Sequence, residues 1–218
     1  DMKIAILGLW HLGEIYSAGL AELGHDVCGI SEDEEVVRRL KKNSPPLEEP
    51  NLVTLLKKNQ KSGRLVYAMD FKYVEKCDTV WITFDTPVDS RDRADTSVIF
   101  RCLKKALPYF KDNVLLLVSS QLPVGTSHEI IALVKKRRPG LVFGYAYIPE
   151  NLRLGEAIES FFNPKRIVIG ADSPETAGRA ETLFKGIAAD FLLMSAPSAE
   201  MVKHALNSFL ATSLSFIY

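Results

Sequence analysis

Short β-branched apolar runs alternate with longer amphipathic segments along the whole chain, and this alternation limits the fold more than any other feature. The runs are Lys3–Leu7, Asp26–Ile30, Arg64–Tyr67, Thr79–Phe84, Val114–Ser119, Leu141–Tyr147, Arg166–Gly170 and Ala189–Met194. The first two, the fourth and the fifth are nearly all apolar, as strands buried on both faces should be. Helical patterns lie between them at Leu12–Leu23, Glu34–Lys42, Leu52–Lys61, Ser97–Leu107, Ser127–Lys136 and Glu175–Phe184. Such alternation implies right-handed crossovers and a mostly parallel sheet with helices on both faces. The expectation is a doubly wound α/β domain.

Two segments fall outside the alternation. Asn43–Pro50 carries Pro45, Pro46 and Pro50 and must be a loop, because proline cannot continue a helix. Ala199–Tyr218 reads as one long helix with Met201, Ala205, Phe209, Leu214 and Phe216 apolar. It has no C-cap glycine and ends on a bare apolar stretch, which reads as a helix cut short.

The 218 residues amount to about one and a half domains at roughly 150 residues each. With 47% apolar and 25% charged residues, the composition excludes a disordered chain, a collagen-like repeat and a disulfide-stapled miniature. Lys plus Arg and Asp plus Glu both number 27, so the formal charge is zero. A neutral chain lacks the basic footprint of non-specific nucleic-acid binding, and no nucleic-acid partner is expected. Anionic ligands must then be held by local geometry. Cys28, Cys77 and Cys102 form no CxxC pair, which fits a reducing compartment. No stretch approaches the ~20 apolar residues of a membrane span, so no membrane partner is expected. The expected setting is the cytoplasm. His128 and His204 have no partners at ligand spacing, and no metal site is expected.

Lys3–Gly13 reads as a strand, a tight turn and a helix start. A dinucleotide turn has glycines at three positions: one for the turn, one for approach of the pyrophosphate, and one for helix–strand packing. Gly8 and Gly13 fit the first and third, with His11 and Leu12 between them, while Trp10 takes the second. The pyrophosphate would sit on the helix N-terminus. An acidic residue should follow the second strand to bond the adenosine ribose, but Ser31 stands there, with Glu32 and Asp33 next to it. Ser31 also leaves NADP less excluded than usual. The turn is consistent with a Rossmann-type cofactor site, or with the same fold packed without a dinucleotide.

Further polar clusters end the later strands, where a parallel sheet places its ligands. They are Thr83-Phe84-Asp85-Thr86-Pro87, Ser119-Ser120-Gln121-Leu122-Pro123-Val124-Gly125-Thr126 and Ile148-Pro149-Glu150-Asn151-Leu152-Arg153-Leu154-Gly155-Glu156-Ala157. Lys203 and Asn207 form an i,i+4 pair on the last helix. With Gly24-His25-Asp26-Val27, Asp95, Asn163-Pro164-Lys165-Arg166 and the Ala199–Asn207 stretch, these resemble the N-terminal NAD-binding domain of the UDP-glucose/GDP-mannose 6-dehydrogenase family. The likeness runs in register from Lys3 to Tyr218.

The resemblance implies a Rossmann-type NAD-binding domain over residues 1–195, with residues 196–218 opening a long connecting helix. In the family that helix leads to a middle dimerisation region and a second domain, so a homodimer of the full-length protein is implied. The implied activity is oxidation of the C6 alcohol of a UDP- or GDP-linked sugar to a carboxylate by two hydride transfers to NAD. By matching, Glu150, Lys203, Asn207 and Gln121 take catalytic roles, and Glu150, Leu152, Arg153, Lys203 and Asn207 meet the nucleotide sugar. Gly8, Trp10, His11, Leu12, Gly13, Ser31, Asp33, Thr86, Pro87 and Ser120 meet the cofactor. A lysine offers a cation where oxyanion charge develops, and a glutamate can take a proton from water in the hydrolytic step.

Taken singly, Glu150 could cap a helix and Lys203 could be a solvated charge, and only their joint match favours a site. Trp10, Ser31, Gln121, Ile148 and Leu154 depart from the family pattern. The family's covalent nucleophile is a cysteine in a Phe-Gly-Gly-x-Cys-x-x-Lys-Asp stretch beyond the long helix, and none of the three cysteines has that context. The chain by itself is therefore expected to be inactive. A degenerate Rossmann module with a binding, assembly or regulatory role is the other reading.

Overall fold

The computed structural model describes residues 1–86, 94–150 and 152–217. Eight strands form one sheet: β1 (Lys3–Leu7), β2 (Asp26–Ile30), β3 (Leu65–Ala68), β4 (Thr79–Ile82), β5 (Val114–Val118), β6 (Phe143–Tyr147), β7 (Arg166–Ala171) and β8 (Asp190–Met194). Their order is β3-β2-β1-β4-β5-β6-β7-β8. All neighbours are parallel except β6 and β7, which pair antiparallel through Ala146 with Ala171 and Tyr147 with Gly170. The doubly wound, mostly parallel reading holds.

The helices are α1 (His11–Glu22), α2 (Glu34–Lys41), α3 (Leu52–Lys61), α4 (Ser97–Ala106), α5 (Thr126–Arg137), α6 (Ala157–Phe162), α7 (Pro174–Thr182) and α8 (Ala196–Ile217). Strand and helix ends differ from the sequence reading by a few residues, and two features were not foreseen. One is α6, six residues long and too short to show a period. The other is a 3-10 segment at Phe71–Lys76. α8 begins at Ala196 rather than Ala199; Pro197 sits in its first turn, where a missing N–H does no harm.

The central strands are buried on both faces, which is why β5 carries Val-Leu-Leu-Leu-Val without a polar residue. Alternate residues feed two cores. On one face Ile4, Ile6, Trp81, Leu115 and Leu117 meet α1, α6 and α7. On the other Ala5, Leu7, Val80, Ile82, Leu116 and Val118 meet α4 and α5. Trp81 is fully buried, stacked on Tyr16 at 4.4 Å, and donates to Ser119 Oγ at 2.9 Å. His25 plugs the α1–β2 corner, accepting from the Met2 N–H and meeting the Leu183 carbonyl at 3.0 Å. Arg138, just past α5, donates to the carbonyls of Leu107, Pro108 and Phe110. No helix among the described residues is long and apolar enough to cross a membrane.

Candidate functional site

The carboxyl ends of the parallel strands gather the site. Gly8 leaves β1 at φ +105°, where a side chain would be strained. Gly13 packs so closely on the turn that a Cβ there would lie 1.9 Å from the Gly8 carbonyl oxygen. Thr83, at the end of β4, closes the turn by donating to that oxygen at 2.8 Å. Trp10 is the N-cap residue of α1 and makes no side-chain cap, and its indole is half-exposed instead of packed into the core. A turn this tight, leading to a helix whose first N–H groups have no capping side chain, fits the pyrophosphate of a dinucleotide.

Around the turn the expected cofactor residues divide. Ser31 follows β2, but its Oγ accepts from the Asp33 N–H at 3.2 Å. Asp33 caps α2, accepting from the N–H groups of Glu35 and Val36 at 2.9 and 3.2 Å. Glu32 pairs with Lys105 at 2.5 Å. The structure thus gives both carboxylates after β2 other partners, and Ser31 is left as the polar group nearest the strand end. Thr86 donates to the Gln121 carbonyl at 2.7 Å, tying the β4 end to the β5 end. Ser120 Oγ is buried and has no hydrogen-bond partner among the described residues, and Gln121 is exposed. Pro87 lies outside the described residues. His11 is half-buried and bonded through Nε2 to Glu49 Oε1 at 2.6 Å.

The second part of the site forms where β6 meets α8. Lys203 Nζ donates to a Glu150 carboxylate oxygen and to the Glu150 carbonyl. The other Glu150 oxygen accepts from the Leu152 N–H at 3.2 Å. Glu150 and Lys203 side chains are 26% and 20% exposed, enough to meet a ligand but too little to be freely solvated. His204 holds α8 to the Leu122 carbonyl at 2.8 Å. Asn207 lies exposed one turn further along α8, and Arg153 is exposed beside the half-buried Leu152. A cavity of about 650 Å³ opens beside this loop, between Ile148, Leu152 and Arg166.

Asp85 connects the two parts. Burial pushes its carboxyl up, His11 pulls it down and Glu150 pushes it up again; because β1, β4, β5 and β6 run parallel, the glycine turn and Glu150 share one rim of the sheet. Asp85 sits in the Thr83–Pro87 cluster, but nothing in the spelling marks it as the meeting point. Glu49 and Glu200 were also missed; each binds groups far away in the chain.

Known proteins give the arrangement a family. The sequence model of the UDP-glucose/GDP-mannose dehydrogenase family, NAD binding domain, matches residues 2–188. UDP-glucose 6-dehydrogenase YwqF of Bacillus subtilis is 34% identical over 99% of this chain and 50% of its own length. A UDP-glucose dehydrogenase from Pyrobaculum islandicum superposes with a TM-score of 0.93 at 34% identity, covering 99% of this chain and 51% of that one. GDP-mannose dehydrogenase from Pseudomonas aeruginosa, solved as a ternary complex, gives a TM-score of 0.93 at 26% identity, again over 99% and 51%. The chain spans about half the length of these relatives. It belongs to the UDP-glucose/GDP-mannose dehydrogenase family, whose NAD-binding domain it matches.

Proposed function

We propose that this chain is the cofactor-binding half of a nucleotide-sugar 6-dehydrogenase and carries one wall of its active site. The observation that carries the reading is the Glu150–Lys203 pair standing on the same rim as the Gly8–Gly13 turn. Gly8, Leu12 and Gly13 would hold the pyrophosphate through backbone N–H groups, with His11 beside it, and Thr86 and Ser120 would flank the nicotinamide. Ser31 offers the adenosine ribose a hydroxyl rather than a carboxylate, and NAD is favoured over NADP. When bound, NAD supplies a hydride acceptor; converting an alcohol to a carboxylate takes two NAD and one water.

In this reading the substrate is a UDP- or GDP-linked sugar. Lys203 holds a positive charge against the oxygen of the reacting carbon, and Asn207 orients that oxygen. Glu150 orders a water and takes its proton in the second half of the reaction. Leu152 and Arg153 line the approach, and Gln121 stands at the nicotinamide side. The three cysteines supply no nucleophile: burial raises the thiols of Cys28 and Cys102 to about 12 and that of Cys77 to about 11. We infer that the chain alone turns nothing over, and that the full-length protein works as a homodimer in the cytoplasm.

Calorimetric titration with NAD, NADH and NADPH tests the cofactor reading. NAD(H) binds, NADPH binds more weakly, and Trp10→Gly tightens NADH several-fold by clearing the second glycine position. No binding by any of the three, in the parent chain and in Trp10→Gly, supports the degenerate module suggested by Trp10 and Ser31.

A further inference from the structure

Glu49 lies in the proline-rich loop between α2 and α3, far in sequence from every residue of the site. Its side chain is closed to solvent, and all its partners belong to the site. Oε1 accepts from His11 Nε2 at 2.6 Å and from the Gly155 N–H at 2.8 Å. Oε2 accepts from the Ala157 N–H at 3.2 Å. His11 opens α1 in the glycine turn, while Gly155 and Ala157 end the loop that carries Glu150, Leu152 and Arg153. One carboxylate therefore joins the dinucleotide turn to the sugar-side loop.

Its electrostatics make the bonds interdependent. Burial pushes the Glu49 carboxyl up, but the Gly155 N–H, the His11 ring and the Ala157 N–H together hold it below the usual carboxylate range. Removing one donor weakens the hold on the charge that the others share. His11 is the first residue of α1, so an anion that orders this helix start also fixes the ring and, through it, the Glu49 carboxylate.

We propose that Glu49 is a positioning residue that couples the two halves of the site: filling the Gly8–Gly13 turn orders residues 152–157 through His11 and Glu49, and a nucleotide sugar held by that loop tightens the dinucleotide in return. The reciprocity follows from linkage. The proposal rests on the cofactor reading above, and uses no residue of the Glu150–Lys203 pair.

Amide hydrogen exchange at Gly155 and Ala157, with and without saturating NADH, provides the test. In the parent chain NADH slows exchange at both amides about fivefold or more, the lower range of typical coupling. Glu49→Gln exchanges faster at both amides without nucleotide and gains little protection from NADH. His11→Ala removes the link between the turn and Glu49; at NADH saturation its two amides no longer respond to the nucleotide. NADH binding that leaves exchange at Gly155 and Ala157 unchanged in the parent overturns the coupling, as does a full response in both variants. Failure of the cofactor reading looks different: no NADH saturation is reached at all, and the coupling falls with it.

Discussion

Glu14 sits in the first turn of α1 with no exposure, and neither carboxyl oxygen has a hydrogen-bond partner. The equally orphaned phenol of Tyr67 is close enough to feel it. Burial raises the Glu14 carboxyl to about 9, and Arg39 only partly offsets that. The unfolded chain ionises Glu14 near 4.5, so between that pH and about 9 folding takes up a proton. This contribution to stability is complete below the lower value and is lost as pH rises, by up to ~1.4 kcal/mol per pH unit. Glu14→Gln should therefore melt close to the parent near pH 5 and above it at pH 8, with the gap widening between; thermal melts across that range check it. A variant that melts lower at pH 8 would mean that Glu14 is ionised and solvated in the fold. No reading of the sequence could find this group, since an acid in a helix's first turn is an ordinary sight. Only its complete burial, with Tyr67 close by, makes it unusual. Glu150 and Lys203 were legible because their neighbours spell a recognisable order, whereas Glu49 owes its place to partners 38, 106 and 108 residues away.

Among the elements, α8 is held by a residue that the Ala199–Asn207 stretch contains but does not explain. Glu200 is fully buried and accepts from the N–H groups of Gly125 and Ser127 at 2.6 and 2.7 Å and from Ser127 Oγ at 2.6 Å. Tyr145 completes the cluster by donating to Ser127 Oγ at 2.8 Å. A carboxylate from one helix thus closes the first turn of another, α5, with the dipole in its favour. Glu200→Ala leaves those donors buried and unpaired and should cost about 3 kcal/mol, while Glu200→Gln retains an acceptor and should cost less. Urea unfolding midpoints distinguish the two, and equal midpoints for parent and Glu200→Ala would refute the anchor. Strands and long helices were legible to within a few residues, because buried parallel strands are written as unbroken apolar runs. The short α6 and the 3-10 segment were not, since six residues hold less than two turns.

At the scale of the whole molecule, the last strand and helix carry much of the exposed apolar surface. Leu193 on β8 is 53% exposed, and Phe209 and Leu210 on α8 are 73% and 59% exposed. No Asp, Glu, Lys or Arg follows Lys203 in the chain to relieve it. A surface of this kind associates. The weight-average mass in sedimentation should rise with concentration, and Phe209→Glu combined with Leu193→Lys should hold it at the monomer value; a parent chain that stays monomeric throughout would sink the idea. The reversed strand β7 decides where that surface goes. Because β7 and β8 run against β1–β6, the helix that follows β8 turns to run with them. It packs Ala199 on the Gly170 backbone and, four residues or about 6 Å on, delivers Lys203 to Glu150. Had β7 kept the common direction, α8 would have descended from the rim that holds Glu150, carrying its lysine away. One strand laid backwards turns a departing helix into an arriving one.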